Sequence, residues 1–423
     1  MKAAIIGYGK SGAASEKLLK AKGYDAIEIF DDGNNEYRNI SEFENNYDTV
    51  VVSPGIDRRK YKNLPEVVTS EIELAYELMD KNCKVIGVTG TNGKSTVTHL
   101  TAQILNNAGF RASACGNIGY PFGDAVLTGK YDVFVIELSS FQLELLKRIK
   151  IDAGCIINVT PDHMDRYDSM DDYYNAKMHL MNFIDKKGLF VSNPDTKIVN
   201  EAILKGFKAV FVEDKLTGYP KLHEQILSFK NFSVNIQEFT LFGYHNVINL
   251  AFALLLADNI CNFQGDRTDL IRGLSGMNHR SELVADINGV RWINDSKATN
   301  VDSVITALKS LYKPSILLLG GKDKNSDYTP LIPYILQHVS EVCFFGEAAE
   351  VIREQISKEI HCVREINYKT LEDCVKDLVK NTIRGYTVLL SPACASFDEF
   401  QSFEDRGEKF VSYIEKYVEG IND

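Results

Sequence analysis

One segment constrains the fold more than any other: Lys84-Val85-Ile86-Gly87-Val88-Thr89-Gly90-Thr91-Asn92-Gly93-Lys94-Ser95-Thr96. A buried-type strand runs into a glycine-rich turn that closes on Gly-Lys-Ser, and a helical pattern over 95–108 follows. Glycines let backbone N–H groups close around phosphate oxygens. The lysine reaches the β- and γ-phosphates, the serine hydroxyl suits Mg²⁺, and a helix N-terminus favours the anion. The common G-x-x-x-x-G-K-[ST] spacing requires glycine at position 88, where this chain has Val88, so the loop is a variant. A purely structural glycine turn is the alternative; strand, Gly-Lys-Ser and helix together weigh against it.

Around this loop, short β-branched runs alternate with amphipathic stretches. Runs at 3–6, 26–30, 49–52, 84–88, 133–137, 153–158, 189–192, 315–319, 342–345 and 386–390 read as buried strands. Helical patterns such as 13–22, 71–81 and 95–108 lie between them. That alternation predicts α/β architecture with parallel sheets covered by helices. Three strand–turn–helix starts predict three domains over 1–83, 84–276 and 277–423. A length of 423 residues fits that count, and 44% hydrophobic with 25% charged residues fits globular cores. The net charge of -11 supplies no cationic footprint for nucleic acid. Apolar runs such as 250–257 fall short of a membrane span. Eight scattered cysteines without a Cys-x-x-Cys pair indicate neither a zinc knuckle nor a disulfide framework, and the expected compartment is the cytoplasm.

Gly7-Tyr8-Gly9-Lys10-Ser11-Gly12 matches G-x-G-x-x-G after the first strand, with Asp31 and Asp32 about 20 residues on. Alone this reads as a dinucleotide fingerprint; the phosphate loop further along does not fit a dehydrogenase. The glycines serve either another nucleotide or helix–strand packing. Ser53-Pro54-Gly55 is expected at the same sheet edge. Glu137 ends the run Val133–Ile136, where a carboxylate beside a phosphate loop would hold Mg²⁺; helix capping is the alternative. Asp162-His163 follows the next strand. Lys177 by itself reads as a solvated helical lysine. Asn246 and Asn249, three apart at a helix start, share a face and suit either a purine edge or capping.

In the last third, His279-Arg280 precedes Asp295-Ser296-Lys297-Ala298-Thr299-Asn300, which follows a strand holding Trp292. Gly320-Gly321-Lys322-Asp323-Lys324 and Ser391-Pro392-Ala393-Cys394-Ala395-Ser396-Phe397-Asp398 follow two further strands. All three motifs are expected on the C-terminal edge of one sheet, where lysines and hydroxyls suit a carboxylate ligand. Cys394 reads as a small buried residue rather than a nucleophile.

With these motifs in this order, the chain resembles the Mur ligase family, whose members build the peptide stem of peptidoglycan precursors. The likeness rests on Gly90–Thr96, Asn117-Ile118-Gly119, Glu137, Asp162-His163, Lys177, the Gly-x-His-Asn-x-x-Asn run at 243–249, His279-Arg280 and Asp295. The segments 295–300, 320–324 and 391–398, with Phe403, resemble the D-glutamate-adding branch. The resemblance implies a Rossmann-like first domain for a UDP-linked substrate, a central phosphate-loop ATPase domain, and a Rossmann-like third domain for the amino acid.

The same resemblance implies the residue roles. ATP would be held by Gly90, Thr91, Asn92, Gly93, Lys94, Ser95, Thr96, Asn246, Asn249, Arg280, Asp295 and Lys297. Two Mg²⁺ ions would be held by Ser95 with Glu137 and by His163 with Lys177, the lysine being carbamylated. Lys94, His163 and Lys177 would be catalytic. UDP-N-acetylmuramoyl-L-alanine would meet Ser11, Asp31, Asp32, Ser53, Gly55, Asn117 and Ser139. D-glutamate would meet Thr299, Lys324, Ser396 and Phe403, with Lys324 preferred to Lys322 by motif alignment. The expected partners are these small molecules, with no nucleic acid or membrane and a monomeric state. The rivals are a folate polyglutamylating ligase of the same superfamily, a phosphate-loop regulatory NTPase and, on Gly7–Gly12 alone, an NAD-dependent dehydrogenase.

Overall fold

The computed structural model describes all residues except 66–67, 165, 214–215, 217–219, 242, 277–278, 312–313 and 423. The expected boundary residue Met277 lies outside the described residues, as do Asp165, Phe242 and Asn278 of the motifs quoted above. The chain divides into two compact units, one of Met1–Phe239 with Ile248–Leu274, the other of Thr240–Val247 with Ser275–Asp423.

The first unit opens with β1 (Lys2–Ile6), α1 (Lys10–Ala21), β2 (Ala26–Phe30) and β3 (Thr49–Val52). These strands form a parallel sheet in the order β2-β1-β3. Gly7, Asp31 and Ser53 therefore fall together beyond its C-terminal edge. Helix α2 (Glu71–Leu78) stops three residues earlier than its helical pattern suggests, because Met79 turns extended at ψ 140°.

The central sheet comprises β4 (Lys84–Thr89), α3 (Lys94–Asn107), β5 (Ala112–Gly116), α4 (Phe122–Thr128), β6 (Val133–Glu137), α5 (Ser140–Leu143), β7 (Ile151–Ile156), α6 (Met170–Met178), β8 (Ile184–Ser192), α7 (Thr196–Lys205) and β9 (Lys208–Phe211). All six strands are parallel, in the order β5-β6-β4-β7-β8-β9. Buried apolar runs fill these strands, Val-Ile-Gly-Val at 85–88 in β4, Val-Phe-Val-Ile at 133–136 in β6 and Ala-Gly-Cys-Ile at 153–156 in β7, as expected where helices cover both faces. A small sheet of β10 (Lys221–His223), β11 (Ile226–Ser228), β12 (Phe232–Asn235) and β13 (Gly265–Asp266) completes the unit. Helix α8 (Tyr244–Cys261) carries the apolar run 250–257, all buried. Among the described residues, no helix is long and apolar enough to cross a membrane.

The second unit holds β14 (Glu282–Ile287), β15 (Val290–Asn294), α9 (Val301–Leu308), β16 (Ser315–Gly320), α10 (Ile332–His338), β17 (Glu341–Phe345), α11 (Ala349–Ile356), β18 (Arg364–Asn367), α12 (Leu371–Asn381), β19 (Thr387–Ala393) and α13 (Phe403–Asn422). The sheet order is β14-β15-β19-β16-β17-β18, antiparallel only at the β14 edge. The neighbouring strands β15, β19 and β16 are parallel, so the three C-terminal motifs do share one edge. Gly320, at φ +152°, is required there: a Cβ would sit 1.9 Å from the Phe345 carbonyl oxygen.

Candidate active site

The phosphate loop leaves β4 and enters α3 through Gly93, left-handed at φ +84°. A Cβ on Gly93 would lie 2.8 Å from Asn249 Oδ1, so this buried amide abuts the loop. Asn158, just past β7, shapes the turn. Its Oδ1 accepts the Thr91 and Asn92 backbone N–H groups at 3.1 and 2.9 Å, and its Nδ2 donates to the Asn92 carbonyl at 3.1 Å. Lys94 Nζ donates to the Thr91 carbonyl at 2.6 Å, curling over the loop. Ser95 and Thr96 are buried in the first helical turn.

Lys177 is not solvated. It is 1% exposed on α6, donates to the Gly90 carbonyl at 2.8 Å, and sits 4.4 Å over the Tyr173 ring. Burial pushes its ammonium well below the usual lysine value, and the Lys94 charge adds to that. The charged form is thus disfavoured where the lysine lies against the phosphate loop.

Glu137 is 2% exposed at the end of β6. Its Oε1 accepts from Asn117 Nδ2 at 2.8 Å, while its Oε2 is buried without a hydrogen-bond partner. It caps no helix; Ser139 does that, accepting the Gln142 backbone N–H at 3.2 Å in a capping box. An orphaned carboxylate oxygen in a polar pocket is costly unless something fills the valence, so the donor set fits a cation. Among the described residues, no three His, Cys, Asp or Glu side chains gather as a metal cage. Mg²⁺ beside phosphates needs only one or two carboxylates. His163 adopts φ +57° and packs edge-on at 5.0 Å from Phe141, with Nε2 3.6 Å from Asp162 Oδ2.

At the edge of the first sheet, Asp31 accepts the Tyr8 and Gly33 backbone N–H groups at 2.5 and 2.7 Å. Asp32 accepts from the Ile40 backbone at 2.7 Å and from the Tyr61 hydroxyl at 2.8 Å, and Ser53 Oγ donates to the Gly7 carbonyl at 2.6 Å. These side chains build the loop walls. Gly12 is needed for packing, since a Cβ would meet the Gly7 carbonyl at 2.3 Å. Gly55 has open space around it, and Ser11 lies in the first turn of α1.

In the second unit, Asp295 is buried. Its Oδ1 accepts from the Ser281 backbone at 3.0 Å and its Oδ2 from Ser391 Oγ at 2.8 Å, while burial pushes its carboxyl up to about 6. Arg280 adjoins Ser281 in sequence. Lys297 Nζ lies 3.6 Å over the Phe403 ring, joining two of the expected ligand residues. Thr299 N–H donates to the Lys297 carbonyl at 2.9 Å, Ser396 is buried, and Lys324 is exposed. Asn246, at the start of α8, is buried. Cys394 is 1% exposed and 2.9 Å from the Tyr328 hydroxyl, with burial raising its thiol to about 11.

Arg406 escapes sequence reasoning. Fully buried on α13, it donates to Ser296 Oγ at 2.9 Å and to the carbonyls of Ser296, Ala395 and Cys394 at 2.8 to 3.2 Å. One guanidinium thereby fixes the two loops that carry Lys297 and Ser396. Burial lowers it to about 10, so it remains charged near neutrality.

Two family models match: the Mur ligase middle domain over residues 88–257, and the Mur ligase glutamate ligase domain over 279–394. Among curated proteins, the UDP-N-acetylmuramoylalanine--D-glutamate ligase of Caldicellulosiruptor saccharolyticus is 35% identical, covering 98% of this chain and 98% of its own. That of Bacteroides fragilis is 35% identical, covering 97% and 98%. Among solved structures, a MurF ligase from Thermotoga maritima in complex with ADP aligns at TM-score 0.66 and 17% identity, covering 99% of this chain and 95% of that one. That last likeness concerns the fold alone. With near-full-length relatives at this identity and both domain models in place, the chain belongs to the Mur ligase family.

Proposed function

We propose that the protein joins D-glutamate to UDP-N-acetylmuramoyl-L-alanine with ATP, through an acyl phosphate, over domains 1–83, 84–276 and 277–423. The observation that carries this reading is Lys177, a buried lysine that donates to the Gly90 carbonyl of a phosphate-loop motif. The named function of the near-full-length relatives supplies the substrates.

The alanyl carboxylate attacks the γ-phosphorus of ATP and ADP leaves. The amine of D-glutamate then attacks the activated carbonyl, and phosphate departs with one former carboxylate oxygen. A free carboxylate is a poor acceptor because its oxyanion cannot leave; the mixed anhydride divides one hard step into two. Lys94 stabilises charge on the transferring phosphoryl group, assisted by the loop's backbone N–H groups. Asn246 and Asn249 face the adenine; Arg280, Asp295 and Lys297 hold the nucleotide from the C-terminal side. Ser11, Asp31, Asp32, Ser53 and Gly55 receive the UDP portion, and Asn117 and Ser139 the muramoyl-alanine portion. Thr299, Lys324, Ser396 and Phe403 position D-glutamate.

Ser95 and Glu137 would hold one Mg²⁺, and His163 with Lys177 a second; such ions neutralise charge on the phosphoryl oxygens. The orphaned Glu137 Oε2 supports that placement. An ammonium cannot ligate a cation. A neutral Lys177 amine can add to CO₂ and lose a proton, which makes it a carboxylate-like ligand, and its lowered proton affinity supports that modification.

The test is ADP release by the purified chain with ATP, Mg²⁺ and UDP-N-acetylmuramoyl-L-alanine, adding D-glutamate, L-glutamate or nothing. Release requiring both the UDP substrate and D-glutamate is expected. Release with another amino acid would move the specificity, and release indifferent to the UDP substrate would leave a plain NTPase.

A further inference from the structure

The first unit contains a cavity of about 600 Å³ that the ligation chemistry does not use. Residues 146–150, leading into β7, line it together with His179 and residues 182–186, which run into the start of β8. It therefore opens at the N-terminal edge of the central sheet. The phosphate loop lies at the other end of β7, roughly 20 Å away for a six-residue strand.

The charge of this cavity runs against that of the chain. Lys147, Arg148, Lys150 and Lys186 line it against a single carboxylate, Asp185, in a protein of net charge -11. Two of the cations are already engaged: Lys147 Nζ donates to the Val68 carbonyl at 2.8 Å, and Arg148 pairs with Glu73 and Glu77. The Lys150 and Lys186 ammonium groups make no hydrogen bond or ion pair among the described residues, and both are exposed at the rim. One wall is aromatic: the His179 and Phe183 rings stack at 5.0 Å and 18°, and both line the cavity. Ile149 and Ile184 extend that apolar wall. Two uncommitted ammonium groups beside a flat apolar wall suit a small molecule with phosphoryl oxygens at one end and a planar group at the other.

His179 is shared between this cavity and its neighbour. It lines a second cavity, of about 440 Å³, with Pro54 from the first sheet's edge and Arg166 and Tyr167 from the His163 loop. It lies two residues after Lys177, in the turn that ends α6.

We propose that this basic cavity is a second anion site, separate from the phosphate loop, that binds a phosphoryl-bearing small molecule through Lys150 and Lys186. The inference needs only the first unit and does not rest on the identity of the amino acid added.

The test titrates inorganic pyrophosphate calorimetrically into the full chain at low salt and without divalent ions, its phosphate loop already filled with ADP. One pyrophosphate site is expected in the wild type. In the Lys150→Glu/Lys186→Glu double variant its affinity falls more than about tenfold, since each lost charge-assisted hydrogen bond is worth about one decade. ADP binding and thermal midpoint stay unchanged in that variant, which separates loss of the site from loss of the fold. A wild-type chain that binds no pyrophosphate once ADP is in place overturns the proposal. So does a double variant that binds it as tightly as the wild type.

Discussion

At the scale of single residues, the protonation of Lys177 is the point on which the chemistry turns. Its burial, with the Lys94 charge beside it, disfavours the ammonium form. Wild-type activity should therefore fall in CO₂-depleted buffer and return with bicarbonate. Lys177→Ala should lose about 10²-fold or more in kcat, comparable to losing one electrostatic group at a transition state, and should not respond to bicarbonate. Near-normal turnover by that variant would contradict the assignment. Arg406 gives a second prediction. Lysine cannot reproduce a guanidinium fork that serves four acceptors, so Arg406→Lys leaves buried carbonyls of Ser296, Ala395 and Cys394 short of donors. We expect a loss of about 3 kcal/mol in urea unfolding. The KM for D-glutamate should rise more than that for ATP, because the loops that move carry two of its proposed ligands, Thr299 and Ser396, whereas of the proposed nucleotide residues they carry Lys297, and Asp295 stays held by Ser281 and Ser391. An equal rise in both would show only general damage.

At the scale of elements, Glu71 links α2 to α4 through the Gly123 backbone N–H. It is fully buried, and desolvation pushes its carboxyl up to about 7 from an ordinary 4.5. A folded value above the unfolded one makes the stabilisation complete below about pH 4.5, and it is lost as the pH rises through about 7. The shift corresponds to up to about 3 kcal/mol across that window. Glu71→Gln should flatten the thermal-midpoint profile between pH 5 and 8, measured by calorimetry; an unchanged profile would place the titration elsewhere.

The elements readable from sequence were those with continuous apolar runs, such as β4, β6, β7 and β16, because burial on both faces leaves no room for polar residues. Strands β5 (Ala-Ser-Ala-Cys-Gly) and β18 (Arg-Glu-Ile-Asn) carry no such signal, and pairing with a neighbour decides them. The phosphate loop was legible because its glycines are fixed by backbone geometry. Asn158 and Arg406 were not, since their work is hydrogen bonding to distant backbone, which leaves no local pattern. Lys177 was legible only as a family position; its burial needed the fold.

At the scale of the whole molecule, two facts carry the account. The central sheet ends in a glycine-rich loop against which a buried lysine donates, and the second unit's sheet presents three polar motifs on adjacent strands. The central claim is that the loop delivers a phosphoryl group to a carboxylate rather than to water. The most direct measurement uses UDP-N-acetylmuramoyl-L-alanine with an ¹⁸O-labelled alanyl carboxylate, together with ATP, Mg²⁺ and D-glutamate, and analyses the released phosphate by mass spectrometry. The account predicts one substrate-derived ¹⁸O in each phosphate, matched one for one with the amide product. Phosphate free of label would mean that water takes the phosphoryl group, and would contradict it.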